Sequence, residues 1–323
     1  MPRLRQNIIT GDWVVIAPGR ARRPEDFILG KPKRIQKGGV CPFCKGGDGY
    51  LTAIPVDRTQ NVYATQNKFP AFAKEAREPI VRDHGFFDTS PALGGHEVIV
   101  ITDHLRDIAH LDPSEINELL WVYQRRYLHY AKDPNVVYTM LIHNHGPEAG
   151  ATIHHPHSQL FATCVIPSYV ARELEGSRRF YQRNKKCVYC ALVAQEVEQR
   201  IRVLIESKNF CCFTFYAARF PFETWIVPKE HSSRFEKINE AQRKNLAQTI
   251  KKILAMMDMK LNDPPYNYYI HTAPAKTNQF DQFYHWHIEI TPRLSKIGGF
   301  EMGSGMIIDV VSPERAAEFL RTI

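Results

Sequence analysis

The sequence has no long apolar run, no block of like charge and no low-complexity stretch. Its longest apolar stretches, such as Val98–Ile101 and Met306–Ile308, fall far short of the about 20 residues that a membrane-spanning helix needs. The N-terminus, MPRLRQNIITGDWVVIAP, lacks the apolar core of a secretory signal, so a cytoplasmic protein with no membrane partner is expected. Cysteine is sparse, at seven in 323 residues, and an odd count in a reducing compartment argues against a disulfide framework. What is present is ordinary for a folded protein: 44% hydrophobic and 24% charged residues, in a length that suits one large domain or two of common size. The formal net charge is +8. Such a balance favours phosphate-bearing partners, while the absence of a Lys/Arg block argues against a nucleic-acid-binding tail.

Four of the seven cysteines fall in two pairs, Cys41-Pro42-Phe43-Cys44 and Cys187-Val188-Tyr189-Cys190. Each pair opens a similar series. Asn67–Pro70, His96–Ile101 and Asp103-His104 follow the first; Ala218–Pro221, Phe222–Val227 and Glu230-His231 follow the second. Apolar residues at helical spacing then predict a helix from Glu115 to about Ala131 in one half and from Glu240 to about Leu261 in the other. Asp112-Pro113-Ser114 supplies a helix start. Each half ends in a strand of His-x-His form, His155-Pro156-His157 and His285-Trp286-His287, the second preceded by a strand over Tyr266–His271. This order predicts a duplicated α+β fold with two mainly antiparallel sheets and flanking helices, divided into residues 1–180 and 181–323. The charged stretch Glu173–Lys186, read as a helix and connector, marks the boundary.

Zinc in structural sites takes four tetrahedral ligands, commonly two Cys and two His. The matched order supplies Cys41, Cys44, His104 and His155 in the first half, and Cys187, Cys190, His231 and His285 in the second. The histidines are less fixed than the cysteines, since His110 lies near His104 and His154 abuts His155. Thiolate ligands favour zinc or iron over magnesium or calcium. Cys164, Cys211 and Cys212 read as small buried hydrophobes.

Asn144 to Gln159 reads as a loop running into a strand. Gly146 and Gly150 allow backbone conformations closed to other residues and let a phosphate approach the chain. Thr152 offers a hydroxyl to a phosphate oxygen. Strand alternation points His155, His157 and Gln159 to one side. A metal on His155 would then hold His157 rigidly beside it. Neutral imidazole has a free nitrogen lone pair and can attack phosphorus. His157 is therefore the candidate nucleophile, with Gln159 as hydrogen-bond partner of the phosphate oxygens.

These residues resemble the galactose-1-phosphate uridylyltransferase family, a branch of the histidine triad superfamily. The family pattern Asn-x-Gly-x-x-x-Gly-x-Ser/Thr-x-x-His-Pro-His-x-Gln is met in full from Asn144 to Gln159, and the resemblance runs from Gly19-Arg20-Ala21-Arg22-Arg23-Pro24 to the final helix. It implies a double histidine-triad fold, a homodimer with sites formed across the subunit interface, a nucleotidyl intermediate on His157, and zinc on Cys41, Cys44, His104 and His155. It also implies that Arg20 and Arg23 contact phosphate or sugar, that Asn67 and Asn144 lie near the nucleoside with Gly150 and Thr152 near the phosphates, and that Phe300, Glu301 and Lys296 serve the hexose.

The second cysteine pair stands where some bacterial members of that family carry a glutamate and histidines, and iron is an alternative to zinc there. His287 takes the place of the nucleophile in the second half but lacks the Gly-rich loop, so it is expected to be inactive. Phe69, Phe300 and Tyr284 are read as core residues. The run Phe300-Glu301-Met302-Gly303-Ser304 departs from the Glu-Thr-Gln of well-known uridylyltransferases and resembles the plant-type ADP-glucose phosphorylase branch. The expected function is hexose-1-phosphate uridylyl exchange between UDP-glucose and galactose 1-phosphate. The alternative is an ADP-sugar phosphorylase or adenylyltransferase. A more distant one is a zinc-stabilised nucleic-acid-binding protein, against which the long Cys–His spacings and the lack of a basic helical stripe both weigh.

Overall fold

The computed structural model describes residues 1–20, 41–75, 87 and 89–322, the side chains of Arg20, Pro55 and Val56 aside. In chain order the elements are β1 (Arg3–Gln6), β2 (Trp13–Ile16), α1 (Asp48–Leu51), β3 (Ala53–Arg58), β4 (Val62–Gln66), β5 (Gly94–Ile101), α2 (Pro113–Tyr130), β6 (Tyr138–His145) and β7 (His157–Thr163). There follow α3 (Ser168–Asn184), α4 (Val188–Gln199), β8 (Val203–Glu206), β9 (Phe210–Thr214), β10 (Thr224–Pro228), α5 (Glu240–Leu261), β11 (Tyr266–His271), β12 (His287–Pro292), α6 (Gly299–Ser304), β13 (Ile308–Asp309) and α7 (Pro313–Arg321). Short 3-10 turns connect several of them.

The fold is α+β with two mainly antiparallel sheets, as expected. Their arrangement was not legible in the sequence. The strands of both halves join edge to edge in one ten-stranded sheet, ordered β3-β4-β5-β7-β6-β11-β12-β10-β9-β8. The order is palindromic, and β6 pairs antiparallel with β11 at its centre. The second sheet is β1-β2-β13, the last pair parallel.

Both predicted long helices form, and their starts show why. The Asp112 amide donates to the Glu115 carboxylate at 2.8 Å, and Pro113 occupies the first turn, where its missing N–H costs nothing. Asn239 and Gln242 bond reciprocally at 2.9 and 3.1 Å ahead of α5. The apolar faces of α2 and α5 pack on each other and on one face of the large sheet, burying Ile99, Leu119, Leu141, Leu160, Ile253 and Ile288 in the main core. A second core, including Tyr189, Trp225 and Phe215, lies under α3 and α4. Among the described residues no helix is long and apolar enough to cross a membrane.

One polar knot fastens α2 to the sheet. Arg126 donates to Glu97 on β5 at 2.7 and 2.6 Å and to Asp57 on β3 at 2.5 Å, all three side chains being buried. The Tyr130 hydroxyl and the Gln66 amide also donate to Glu97. Glu97 alternates with His96 and Val98, so the knot occupies the helix face of β5 and leaves the opposite face to the site.

Candidate active site

The loop between β6 and β7 makes a 3-10 turn at Pro147–Ala149, closed by the Gly150 and Ala151 amides on the Pro147 and Gly146 carbonyls. Gly146 has a φ of 83° and a hypothetical Cβ there would sit 2.9 Å from Pro265; Gly150 has a φ of 86°. Both glycines are therefore demanded by the backbone. The C-terminal half clamps this loop: the Asn267 amide on β11 donates to the Asn144 Oδ1 at 2.8 Å and to the Ala149 carbonyl at 2.7 Å.

The expectation of a His-x-His strand needs adjustment in both halves. β7 begins at His157 and β12 at His287, so His155 and His285 lie just outside their strands. His155 instead turns its ring to the first cysteine pair, and the Ile101 amide still pairs with the Pro156 carbonyl. His155 and His157 nevertheless face one side, since Phe43 touches both rings, with centroids 5.9 and 5.2 Å away.

The four predicted residues of the first group converge. Cys41 Sγ lies 3.5 Å and Cys44 Sγ 3.6 Å from His155 Nδ1; Cys44 Sγ is 3.2 Å and His155 Nδ1 is 3.1 Å from His104 Nδ1. A tetrahedral zinc bound at ordinary lengths has ligand–ligand edges of about 3.3–3.8 Å. His155 Nε2 donates to the Ile101 carbonyl at 2.6 Å, which leaves Nδ1 as the ligand atom, and burial pushes the ring down to about 4. The second group matches: Cys190 Sγ lies 3.3 Å from His231 Nδ1 and 3.6 Å from His285 Nδ1, while His231 Nε2 donates to the Asp281 carbonyl at 2.7 Å. Within each group all four donor atoms lie within 4.8 Å of one another, so each group can hold a metal ion.

His157 is 8% exposed. Its Nδ1 lies 2.8 Å from the His155 carbonyl, which can only accept. Nδ1 therefore carries the ring proton and Nε2 keeps its lone pair. Burial lowers the pKa, outweighing that backbone bond, and so favours the neutral ring. Gln159 shares the face of His157, and its Oε1 lies 3.0 Å from His96 Nε2.

His287 repeats part of this geometry, its Nδ1 lying 3.1 Å from the His285 carbonyl. Its Nε2, however, sits 3.4 Å from Glu289, which replaces Gln159, and 3.8 Å from Glu173. Trp225 and Tyr189 cover the ring, which is fully buried. A carboxylate on each side and no exposure leave no place for a phosphate.

The remaining predicted residues are spread. Asn67 accepts from the Phe69 amide at 2.9 Å and reaches His96. Thr152 is exposed beside the loop. Lys296 and Phe300 are exposed, and the Glu301 carboxylate caps its own short helix α6 through the Gly298 amide at 3.0 Å. The Arg20 side chain and Arg23 lie outside the described residues. Tyr284 is a core residue as expected, but Phe69 and Phe300 are 81% and 54% exposed: the loop and the six-residue α6 that carry them reach no core. Sequence reasoning missed His96 and Asn267. Both are polar residues in runs read only as strands, and that polarity was the available signal.

Comparison with known proteins agrees with this geometry. The profile described as galactose-1-phosphate uridyl transferase, N-terminal domain, matches residues 1–167, and its C-terminal counterpart matches residues 171–323. An ADP-glucose phosphorylase of Arabidopsis thaliana is 34% identical, covering 100% of this chain and 93% of its own. A galactose-1-phosphate uridylyltransferase of Thermotoga maritima is 28% identical, covering 99% and 98%. The crystal structure of an ADP-glucose phosphorylase from Arabidopsis thaliana with bound ADP-glucose superposes with a TM-score of 0.84 at 31% identity, over 100% of this chain and 99% of that one. With both family domains matched along nearly the whole chain, this protein belongs to the galactose-1-phosphate uridyl transferase family of nucleotidyltransferases.

Proposed function

We propose that the protein is a hexose-1-phosphate uridylyltransferase working through a nucleotidyl adduct on His157. The observation that carries this reading is the bond from His157 Nδ1 to the His155 carbonyl, which frees Nε2 on the face that Gln159 shares. Nε2 attacks the α-phosphorus of UDP-glucose. The bond from that phosphorus to the bridging oxygen breaks, and its electron pair leaves on glucose 1-phosphate. A phosphate oxygen of galactose 1-phosphate then attacks, the phosphorus–nitrogen bond breaks, and UDP-galactose departs with neutral His157 restored. Gln159, Thr152, Gly150 and Asn144 serve the phosphates and nucleoside in this reading. Asn67, Arg20 and Arg23 join them, with Lys296, Phe300 and Glu301 toward the hexose.

Cys41, Cys44, His104 and His155 would hold one zinc, and Cys187, Cys190, His231 and His285 a second, with iron an alternative at the latter; the spacing of the donor atoms supports both. Bound there, the metal would supply structural cross-linking, fixing the His155 carbonyl against His157. The reading includes a homodimer, which sedimentation velocity tests, and no nucleic-acid partner.

A second reading replaces UDP by ADP and the sugar phosphate acceptor by inorganic phosphate. It is favoured by the 34% identity over the whole chain to an ADP-glucose phosphorylase and by the Phe300–Ser304 run. Exchange assays with UDP-glucose plus galactose 1-phosphate against ADP-glucose plus phosphate decide between them. Turnover confined to the second pair overturns the uridylyl assignment. His157→Ala should abolish turnover in either case while metal content and fold persist.

A further inference from the structure

We propose that His96 is a positioning residue that fixes which end of the Gln159 amide faces the reacting phosphorus; this rests on the reading of His157 as nucleophile. A glutamine amide is nearly symmetric in shape and opposite in polarity at its two ends. Only its NH2 end can donate to an anionic phosphate oxygen; its carbonyl end would repel one. Something must hold it in one sense before substrate arrives.

The contacts of His96 settle that sense. The Ala71 backbone amide, which can only donate, points at His96 Nδ1 at 3.2 Å. Nδ1 is therefore the acceptor, and in the neutral ring the proton sits on Nε2. Among the described residues, two side-chain atoms lie within reach of Nε2: Gln159 Oε1 at 3.0 Å and Asn67 Nδ2 at 3.1 Å. The Asn67 amide is held with its oxygen on the Phe69 N–H at 2.9 Å, so the end that faces His96 cannot accept. The proton of His96 goes to Gln159 Oε1. Gln159 then presents its NH2 away from His96, free to donate.

The His96 ring is itself fixed. It stacks on Phe161, its cross-strand partner, with centroids 4.0 Å apart and an angle of 27°, and is 6% exposed. Burial lowers its pKa, so the ring stays in the neutral form that this polarity requires. In the inactive half the corresponding pair is Glu223 and Glu289, with Arg219 2.6 Å from Glu289 and 3.7 Å from Glu223. The oriented amide belongs to the half whose histidine is not fully buried.

The test is a double-mutant cycle read as single-turnover labelling of His157 by UDP-glucose and by ADP-glucose. His96→Ala should slow labelling on the order of 10-fold with little change in the half-saturating concentration. In a Gln159→Ala background it should change the rate by less than about 2-fold. Losses that multiply would show that His96 acts on the fold rather than through Gln159. His96→Gln, which can accept from Ala71 and donate to Gln159, should retain most of the rate, whereas His96→Asn, too short to reach Gln159, should not. Equal rates for those two folded variants would overturn the proposal without touching the role of His157. No labelling of the wild-type chain by either nucleotide sugar would instead remove the reading beneath it.

Discussion

At the scale of single residues, the site depends on where two protons sit. One is on His157 Nδ1, held by the His155 carbonyl, and it leaves the Nε2 lone pair free for the proposed attack. The other is on His96 Nε2, and it polarises Gln159. The two halves of the molecule carry the same histidine at corresponding places and differ in what stands two residues on, Gln159 against Glu289. A carboxylate at position 159 should repel the phosphate and accept rather than donate. Gln159→Glu is accordingly expected to lower kcat on the order of 10²–10³-fold while circular dichroism and metal content stay unchanged. A variant with near wild-type kcat would remove Gln159 from the chemistry. The candidate nucleophile stood out in the sequence because Gly146, Gly150, His155, His157 and Gln159 lie within sixteen consecutive positions. His96 was not, because its meaning comes from a strand pairing between residues 96 and 161 that no local spacing reveals.

Among the elements, α2 holds the sheet that carries the site. Removing the Arg126 guanidinium leaves Glu97 buried without its charge partner and leaves Asp57 with Arg125 alone. Arg126→Met is expected to cost about 3–5 kcal/mol in denaturant unfolding; a loss below about 1 kcal/mol would show that the knot is incidental. The same knot predicts a pH dependence. Burial pushes the Asp57 carboxyl up, but its bonds to Arg126 and Arg125 outweigh this and hold it below the usual carboxylate range. A depressed carboxylate stabilises the fold above the unfolded-state pKa, about 3.9, and that stability is lost as pH falls through the folded value. Wild-type protein should therefore lose stability below about pH 4, and Asp57→Asn should flatten that part of the profile. The helices themselves were readable, since both carry apolar residues at helical spacing and α2 brings its own start at Asp112-Pro113. The joining of β6 to β11 was not: it depends on two strand edges meeting across residues 141–145 and 266–270, and edges leave no periodic mark.

Across the whole molecule, two cysteine–histidine groups sit at corresponding places, just before β7 and β12 of the palindromic sheet, and the histidine that follows is 8% exposed in the first half and fully buried in the second. The two groups should thus separate in their effects. Cys41→Ser should lower bound metal by about one equivalent per chain, with activity falling alongside it because the His155 carbonyl is no longer held. Cys187→Ser should lower bound metal equally but act first on thermal stability, since its group borders the covered half. Full metal content in Cys41→Ser would contradict the ligand set. This pairing of sites was the most legible feature of the sequence, because cysteine pairs followed by histidines in the same order are visible without any fold.

Intact-mass spectrometry followed by peptide mapping, after mixing the protein with UDP-glucose or ADP-glucose and no acceptor, tests the central claim most directly. The account predicts one nucleotidyl group per chain, on His157, acid-labile and discharged by adding the acceptor. Turnover with no adduct on a rapid quench, or an adduct on His287 instead, would contradict it.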